Sequence, residues 1–143
     1  MKISENFELA ELVPPQILRA YGDKSIRFID PKLPGLIEFI KWFFDGNSMT
    51  INNYLWGGKL KNRGYRTPQN KTGAYYSQHK FGRAVDFNIK GYTPDQIRKT
   101  ILDNHTLFMN RGLTTIEHGD YAPTWVHVDM RWTGLGDILI VKP

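Results

Sequence analysis

Ser77-Gln78-His79-Lys80-Phe81-Gly82-Arg83-Ala84-Val85-Asp86-Phe87-Asn88-Ile89 is the stretch whose reading decides the fold. In its second half Val85, Phe87 and Ile89 fall on one face while Ala84, Asp86 and Asn88 fall on the other, the period of two of a half-buried strand. Further along, Trp125-Val126-His127-Val128-Asp129-Met130 alternates in the same way, with Trp125, His127 and Asp129 opposite Val126, Val128 and Met130. Two strands of one sheet with these faces present Asp86 and His127 to a common point. His79 must reach that point from the loop before the first strand, and Gly82, free to take positive φ, lets the chain fold back between them. Two imidazoles and one carboxylate are the donors of a catalytic zinc that keeps a position for water. The expectation is therefore a hydrolase with Zn2+ held by His79, Asp86 and His127.

Each of these residues has a plainer explanation. His79 alone would be a surface or hydrogen-bonded histidine, and His127, flanked by valines, a satisfied core histidine. Asp86 sits among apolar neighbours, where an ionised carboxylate needs a cation or several donors, and a buried Asp–Arg pair would serve as well as a metal. Asp129 shares the face of His127 and is placed to orient its imidazole.

The string from Ser77 to Asp86 resembles the pattern Ser-x-His-x-x-Gly-x-Ala-x-Asp of the zinc D-alanyl-D-alanine carboxypeptidases, D-Ala-D-Ala dipeptidases and L-alanyl-D-glutamate endopeptidases, a family similar in fold to the hedgehog signalling domain. Trp125 to Asp129 resembles the strand that carries the family's third ligand. Arg63-Gly64-Tyr65-Arg66-Thr67-Pro68 resembles its Gly-Tyr-Arg-x-Pro segment, and the likeness covers roughly residues 60 to 132. The resemblance implies an α+β fold with a small antiparallel sheet and flanking helices. It implies cleavage of peptidoglycan stem peptides, at L-Ala-D-Glu or at D-Ala-D-Ala. It also implies that Arg66 faces the substrate, where a fixed cation stabilises the developing oxyanion.

The chain departs from the pattern where many members place a catalytic Asp or Glu three residues before the third ligand, because that position is Thr124. Glu117 and Asp120, just upstream, are the candidates for the general base. Asp120 is preferred slightly, since a loop residue can lean over the metal without obeying strand parity, whereas a one-residue change of register would turn Glu117 to the core. Ser77 is placed to hold the ligand loop, and His118 is a candidate substrate contact; His105 falls on a helix.

A chain of 143 residues fits one domain over 1–143 with a core of its own. The absence of cysteine excludes disulfides and thiolate zinc sites. No basic-then-apolar leader opens the sequence and no apolar run is long enough to span a membrane. These features predict a monomer made in the cytoplasm without a signal peptide, acting on the wall as a bacterial hydrolase or as a phage-type enzyme released through a holin. The net charge is +5. It is concentrated between Gly57 and Val85, where Lys59, Lys61, Arg63, Arg66, Lys71, Lys80 and Arg83 meet no acid and alternate with aromatic residues. Such a stretch can contact nucleic acid and can equally hold a polyanionic wall or a substrate carboxylate, its plainer explanation being a solvated basic loop. The alternatives to an enzyme are accordingly a zinc-containing wall-binding module without activity and a nucleic-acid-binding domain, with nucleic acid not the expected partner. Signatures of other hydrolases, such as His-Glu-x-x-His and Gly-x-Ser-x-Gly, are absent.

Elsewhere the pattern predicts an amphipathic piece around Phe7 to Leu12 and a helical turn after Pro14-Pro15 closed by Gly22, together packing as a lid on the core. A helix is expected over 34–45, with its Trp and Phe residues in the core and a glycine stop at Gly46. Ser48 to Trp56 reads as a strand, and Lys59 to Tyr76 as a long loop around the site mouth. A capping box at Thr93-Pro94-Asp95-Gln96 opens a helix running through Phe108 to near Gly112. Leu113 to Glu117, Thr124 to Arg131 and Asp137 to Val141 read as three closing strands.

Overall fold

The computed structural model describes residues 1–143, a mixed α+β chain with one five-stranded sheet in the order β1-β2-β4-β3-β5. The strands are β1 (Met49–Thr50), β2 (Ala84–Ile89), β3 (Thr115–Glu117), β4 (Val126–Asp129) and β5 (Leu139–Val141). The helices are α1 (Pro15–Tyr21), α2 (Leu33–Phe43), α3 (Pro94–Asp103) and α4 (His105–Met109). No helix is long and apolar enough to cross a membrane.

The alternation predicted for the two central strands is realised. Val85, Phe87, Ile89, Ile116, Val126 and Val128 join one core cluster with Leu33, Leu36, Ile37 and Ile40 of α2, Ile97 and Ile101 of α3, and Phe108 of α4. Phe7, Leu9, Leu12 and Val13 close that core from the N-terminal side. The register pairs Val85 with Val128 and Asp86 with His127. A slip by one residue would bring His127 and Asp129 into the core and expose two valines, at a cost of about 2 kcal/mol per lost apolar side chain before the buried charges are counted. The hydrophobic pattern thus locks the face that carries the polar residues.

The expected sheet was antiparallel, and here the fold differs: β3 and β5 pair in parallel, Glu117 beside Val141. Both edges of β4 are occupied, by β2 and β3. A chain that reverses after β4 must therefore add β5 to the outer edge of β3, and since β3 runs opposite to β4, β5 runs along β3.

Three other expectations are corrected. Only Met49 and Thr50 of the segment 48–56 pair in the sheet. Beyond them Asn52 turns its hydrogen bonds elsewhere: its amide donates to Glu11 O (3.2 Å) and its side-chain oxygen accepts from Arg63 N (2.9 Å). The helix expected from Pro94 to near Gly112 breaks at Asn104 (φ −120°, ψ 31°), whose side chain donates to Thr100 O at 2.8 Å, back into the preceding turn. Such local side-chain bonds compete with helix continuation. Finally, α2 buries Leu33, Leu36, Ile37 and Ile40, but Trp42 is 70% exposed. The capping box stands as predicted, with Thr93 Oγ1 accepting from Gln96 N and Gln96 Oε1 accepting from Thr93 N.

Gly82 shows why the turn into β2 demands glycine. Its φ is +69°, and a Cβ there would lie 1.8 Å from the carbonyl oxygen of Phe28. Both positive φ and backbone contact oppose any side chain. Gly82→Ala should lower stability by more than about 1 kcal/mol, read as a fall in the denaturant midpoint; an unchanged midpoint would contradict this account of the turn.

Candidate metal centre

His79, Asp86 and His127 come together as buried neighbours. β2 and β4 supply Asp86 and His127 as a cross-strand pair. His79 enters on a single 3-10 turn, Gln78–Phe81, capped by the Ser77 hydroxyl, which accepts from His79 N (3.4 Å). The segment 63–66 braces this arrangement: Asp86 N donates to Arg63 O (2.8 Å) and Arg66 N to His79 O (3.1 Å).

The hydrogen bonds around the two imidazoles define where their lone pairs point. His79 Nδ1 lies 2.7 Å from the carbonyl of Gly64, which can only accept, so Nδ1 carries the proton and Nε2 of the neutral ring is bare. Burial pushes the His79 pKa down, outweighing Asp86, and so favours that neutral ring. On His127 it is Nε2 that meets a carboxylate, Asp129 Oδ2 at 3.0 Å, which leaves Nδ1 as the lone-pair nitrogen. His79 Nε2 and His127 Nδ1 are 3.2 Å apart, and Asp86 Oδ1 lies 3.2 Å from the first and 2.8 Å from the second. Three electron-rich atoms thus converge on one point, an arrangement that requires a cation or shared protons between them. Tetrahedral zinc with bonds near 2.0–2.1 Å sets its ligand atoms about 3.3 Å apart. The donor set and its spacing fit that ion.

The charge balance points the same way. Burial would lower His127, but its hydrogen bonds to Asp129 and Asp86 on its two sides raise it to about 9, so without a metal ion Nδ1 also holds a proton, in the place that a cation would take. Burial would raise Asp86, but His79 and His127 hold it well below the usual carboxylate range. The other oxygen of Asp86 accepts from Arg66 Nη2 at 3.0 Å. The buried Asp–Arg pair therefore exists alongside the histidine cluster instead of replacing it.

Behind His127 stands a support that went unrecognised in the sequence. Arg131 Nε and Nη2 donate to the two oxygens of Asp129 at 2.8 and 2.6 Å. The signal was available: residues 129 and 131 share strand parity with His127, and an Asp-x-Arg spacing sets opposite charges side by side. Burial would raise Asp129, but Arg131 and His127 hold it at about 2, against 3.8 for a free aspartate. A depressed carboxylate stabilises the fold above its unfolded pKa and loses that contribution as pH falls. In metal-free protein Asp129 should add on the order of 2 kcal/mol above about pH 4, lost as pH drops towards 2. Unfolding curves across that window should flatten in Asp129→Asn; equal acid limbs in both proteins would contradict this.

Of the two candidate bases, Glu117 stands beside the cluster and Asp120 stands away from it. Ile116 pairs with Val128, so the next residue, Glu117, stands across from His127, on the row that begins with Asp86. Its Oε2 is 4.0 Å from His127 Nδ1 and its side chain is 16% exposed. Burial raises its pKa against the pull of His127. Asp120 points to solvent, 86% exposed, beside His118. Both Asp120 and His118 line a neighbouring cavity of about 780 Å³ against α3, which Glu117 borders as well, but neither of them reaches the cavity over the cluster. Thr124, in the position usual for the acid, is exposed, and its carbonyl is taken by Asn88.

Arg66 lies at the centre but is not a free cation. Only 7% exposed, it spends Nε on Asn62 O, Nη1 on Thr72 O and Nη2 on Asp86. Two other members of the basic stretch are also engaged internally, Arg63 with Asn88 Oδ1 and Arg83 with Gln78 Oε1. A cavity of about 590 Å³ opens over the cluster, walled by Arg66, His79, Asp86, Glu117, His127 and Arg131. Comparison of the chain with known protein families, curated proteins and solved structures finds no match, so a functional assignment rests on the site itself.

Proposed function

We propose that the protein is a zinc-dependent peptidase that cleaves peptidoglycan stem peptides, as a phage-type or bacterial wall hydrolase acting as a monomer. The observation that carries this reading is the convergence of three lone-pair atoms, from His79, Asp86 and His127, beside a half-buried carboxylate on the next strand. The likeness of residues 77–86 to the peptidase pattern supplies the substrate class.

A zinc ion held by His79, Asp86 and His127 would supply Lewis-acid activation of water and of the scissile carbonyl. The protein's own groups then divide the remaining work. Gly64 O fixes the ring of His79, and Asp129, clamped by Arg131, fixes that of His127. Glu117 takes a proton from the attacking water and returns it to the leaving amine; burial raises its pKa, which makes it a stronger base than a free carboxylate. Arg66 holds Asp86 in place and lends positive charge to the wall that faces the carbonyl oxygen.

The test is direct. Purified peptidoglycan incubated with zinc-loaded protein should release new amino groups, and a chelator should stop the release. Wall binding without new amino groups would instead favour a module that has kept the metal and lost the reaction.

A further inference from the structure

Arg131 does more than clamp Asp129. Its Nε and Nη2 are spent on that carboxylate, but Nη1 makes no hydrogen bond within the protein, and the side chain, 30% exposed, lines the cavity over the metal cluster. A guanidinium gripped along one edge is rigid, and its other edge is a preorganised donor. Lys142 adds a third cation to the same wall, after Arg66 and Arg131. With a divalent ion bound, the positive charges of the cavity outnumber those of Asp86, Glu117 and Asp129, so its preferred occupant is anionic.

The position of Arg131 also says which part of the substrate carries the charge. Asp86 and Arg66 stand at the β2 side of the row, Glu117 at the β3 side, with His127 between them. A proton held on Glu117 must go to the leaving nitrogen, so the amine half of the substrate lies at the β3 side. Arg131 follows β4, its carbonyl accepts from Thr114 Oγ1 just before β3, and its side chain lines the same cavity as Glu117.

We propose that Arg131 is the substrate-carboxylate anchor of this site, holding a free carboxylate on the residue that supplies the leaving amine. This rests on the peptidase reading and deepens it: the substrate class becomes peptides with an ionised carboxylate next to the scissile bond, and peptides amidated there are rejected. A charge-assisted hydrogen bond lost to a carboxamide predicts a preference of about 10–100-fold in kcat/KM.

The experiment compares L-Ala-D-Glu-L-Lys with its D-isoglutamine counterpart, and D-Ala-D-Ala with its C-terminal amide, in wild type, Arg131→Lys and Arg131→Gln, with zinc content measured in each. The expected result is an acid-over-amide preference in wild type, carried mainly by KM. Arg131→Gln should bring the ratio near one, and Arg131→Lys should retain part of it. A merely structural role through Asp129 would lower both substrates in proportion and leave the ratio intact, which overturns the proposal. If wild type cleaves none of the peptides, the peptidase reading fails, and calorimetric binding of the same acid and amide pairs decides the anchor separately. Equal affinity for acid and amide would overturn it; an acid preference lost in Arg131→Gln would sustain it as a binding site.

Discussion

Replacing Glu117 by Gln should lower turnover of stem peptides by about 10²–10⁴-fold while bound zinc stays unchanged. The substitution keeps the size of the side chain and removes only its basicity. Glu117 is the carboxylate that stands across from His127 with its Oε2 4.0 Å from Nδ1, whereas Asp120 is 86% exposed and does not line the cavity over the cluster. Asp120→Asn should accordingly leave kcat nearly intact. Paired kcat and zinc measurements on both variants separate the possibilities. Full activity in Glu117→Gln would remove it as the base, and loss in Asp120→Asn would mean that the loop 118–123 moves over the metal during turnover.

The second large effect concerns the metal itself. Zinc should raise the unfolding temperature of the wild-type protein, because a ligand that binds only the folded state stabilises it by about 4 kcal/mol at a thousandfold excess over its Kd. His79→Ala and His127→Ala should abolish that shift, since each removes one of the three converging donors. Asp129→Asn should keep the donors yet weaken affinity by about 10–100-fold, the usual cost of losing the partner that orients a ligand imidazole. Chelator competition and thermal unfolding with and without zinc give this ranking. Equal zinc-induced shifts in wild type and both histidine variants would dismiss the ligand assignment, and the convergence of lone pairs would then have to be satisfied by protons alone.

Much of the site was legible before folding because strand periodicity and capping are properties of neighbours along the chain. The alternation around Val85–Ile89 and Val126–Met130 puts Asp86 and His127 on the polar face whatever the rest of the molecule does. Thr93 and Gln96 form their capping box within a single turn. Gly82 announces the tight return that delivers His79, and the structure adds the contact with Phe28 that makes glycine mandatory there. Asn104 was the local signal most open to misreading, since its neighbours keep a helical period while its own side chain bonds the preceding turn.

Other features depend on partners far apart in sequence. Strand parity said only that Glu117 lies opposite Ile116; it took the pairing of Ile116 with Val128 to place the carboxylate beside His127. The parallel course of β5 follows from both edges of β4 being filled, a fact about four strands at once. Arg66 looked like a free cation until Asn62, Thr72 and Asp86 were seen to engage its three nitrogens. Local sequence decided which residue types could meet and which face each strand would turn to the core. Tertiary structure decided their register and their charge partners, because those are set by the energy of packing distant segments together and by the cost of leaving a buried charge unanswered.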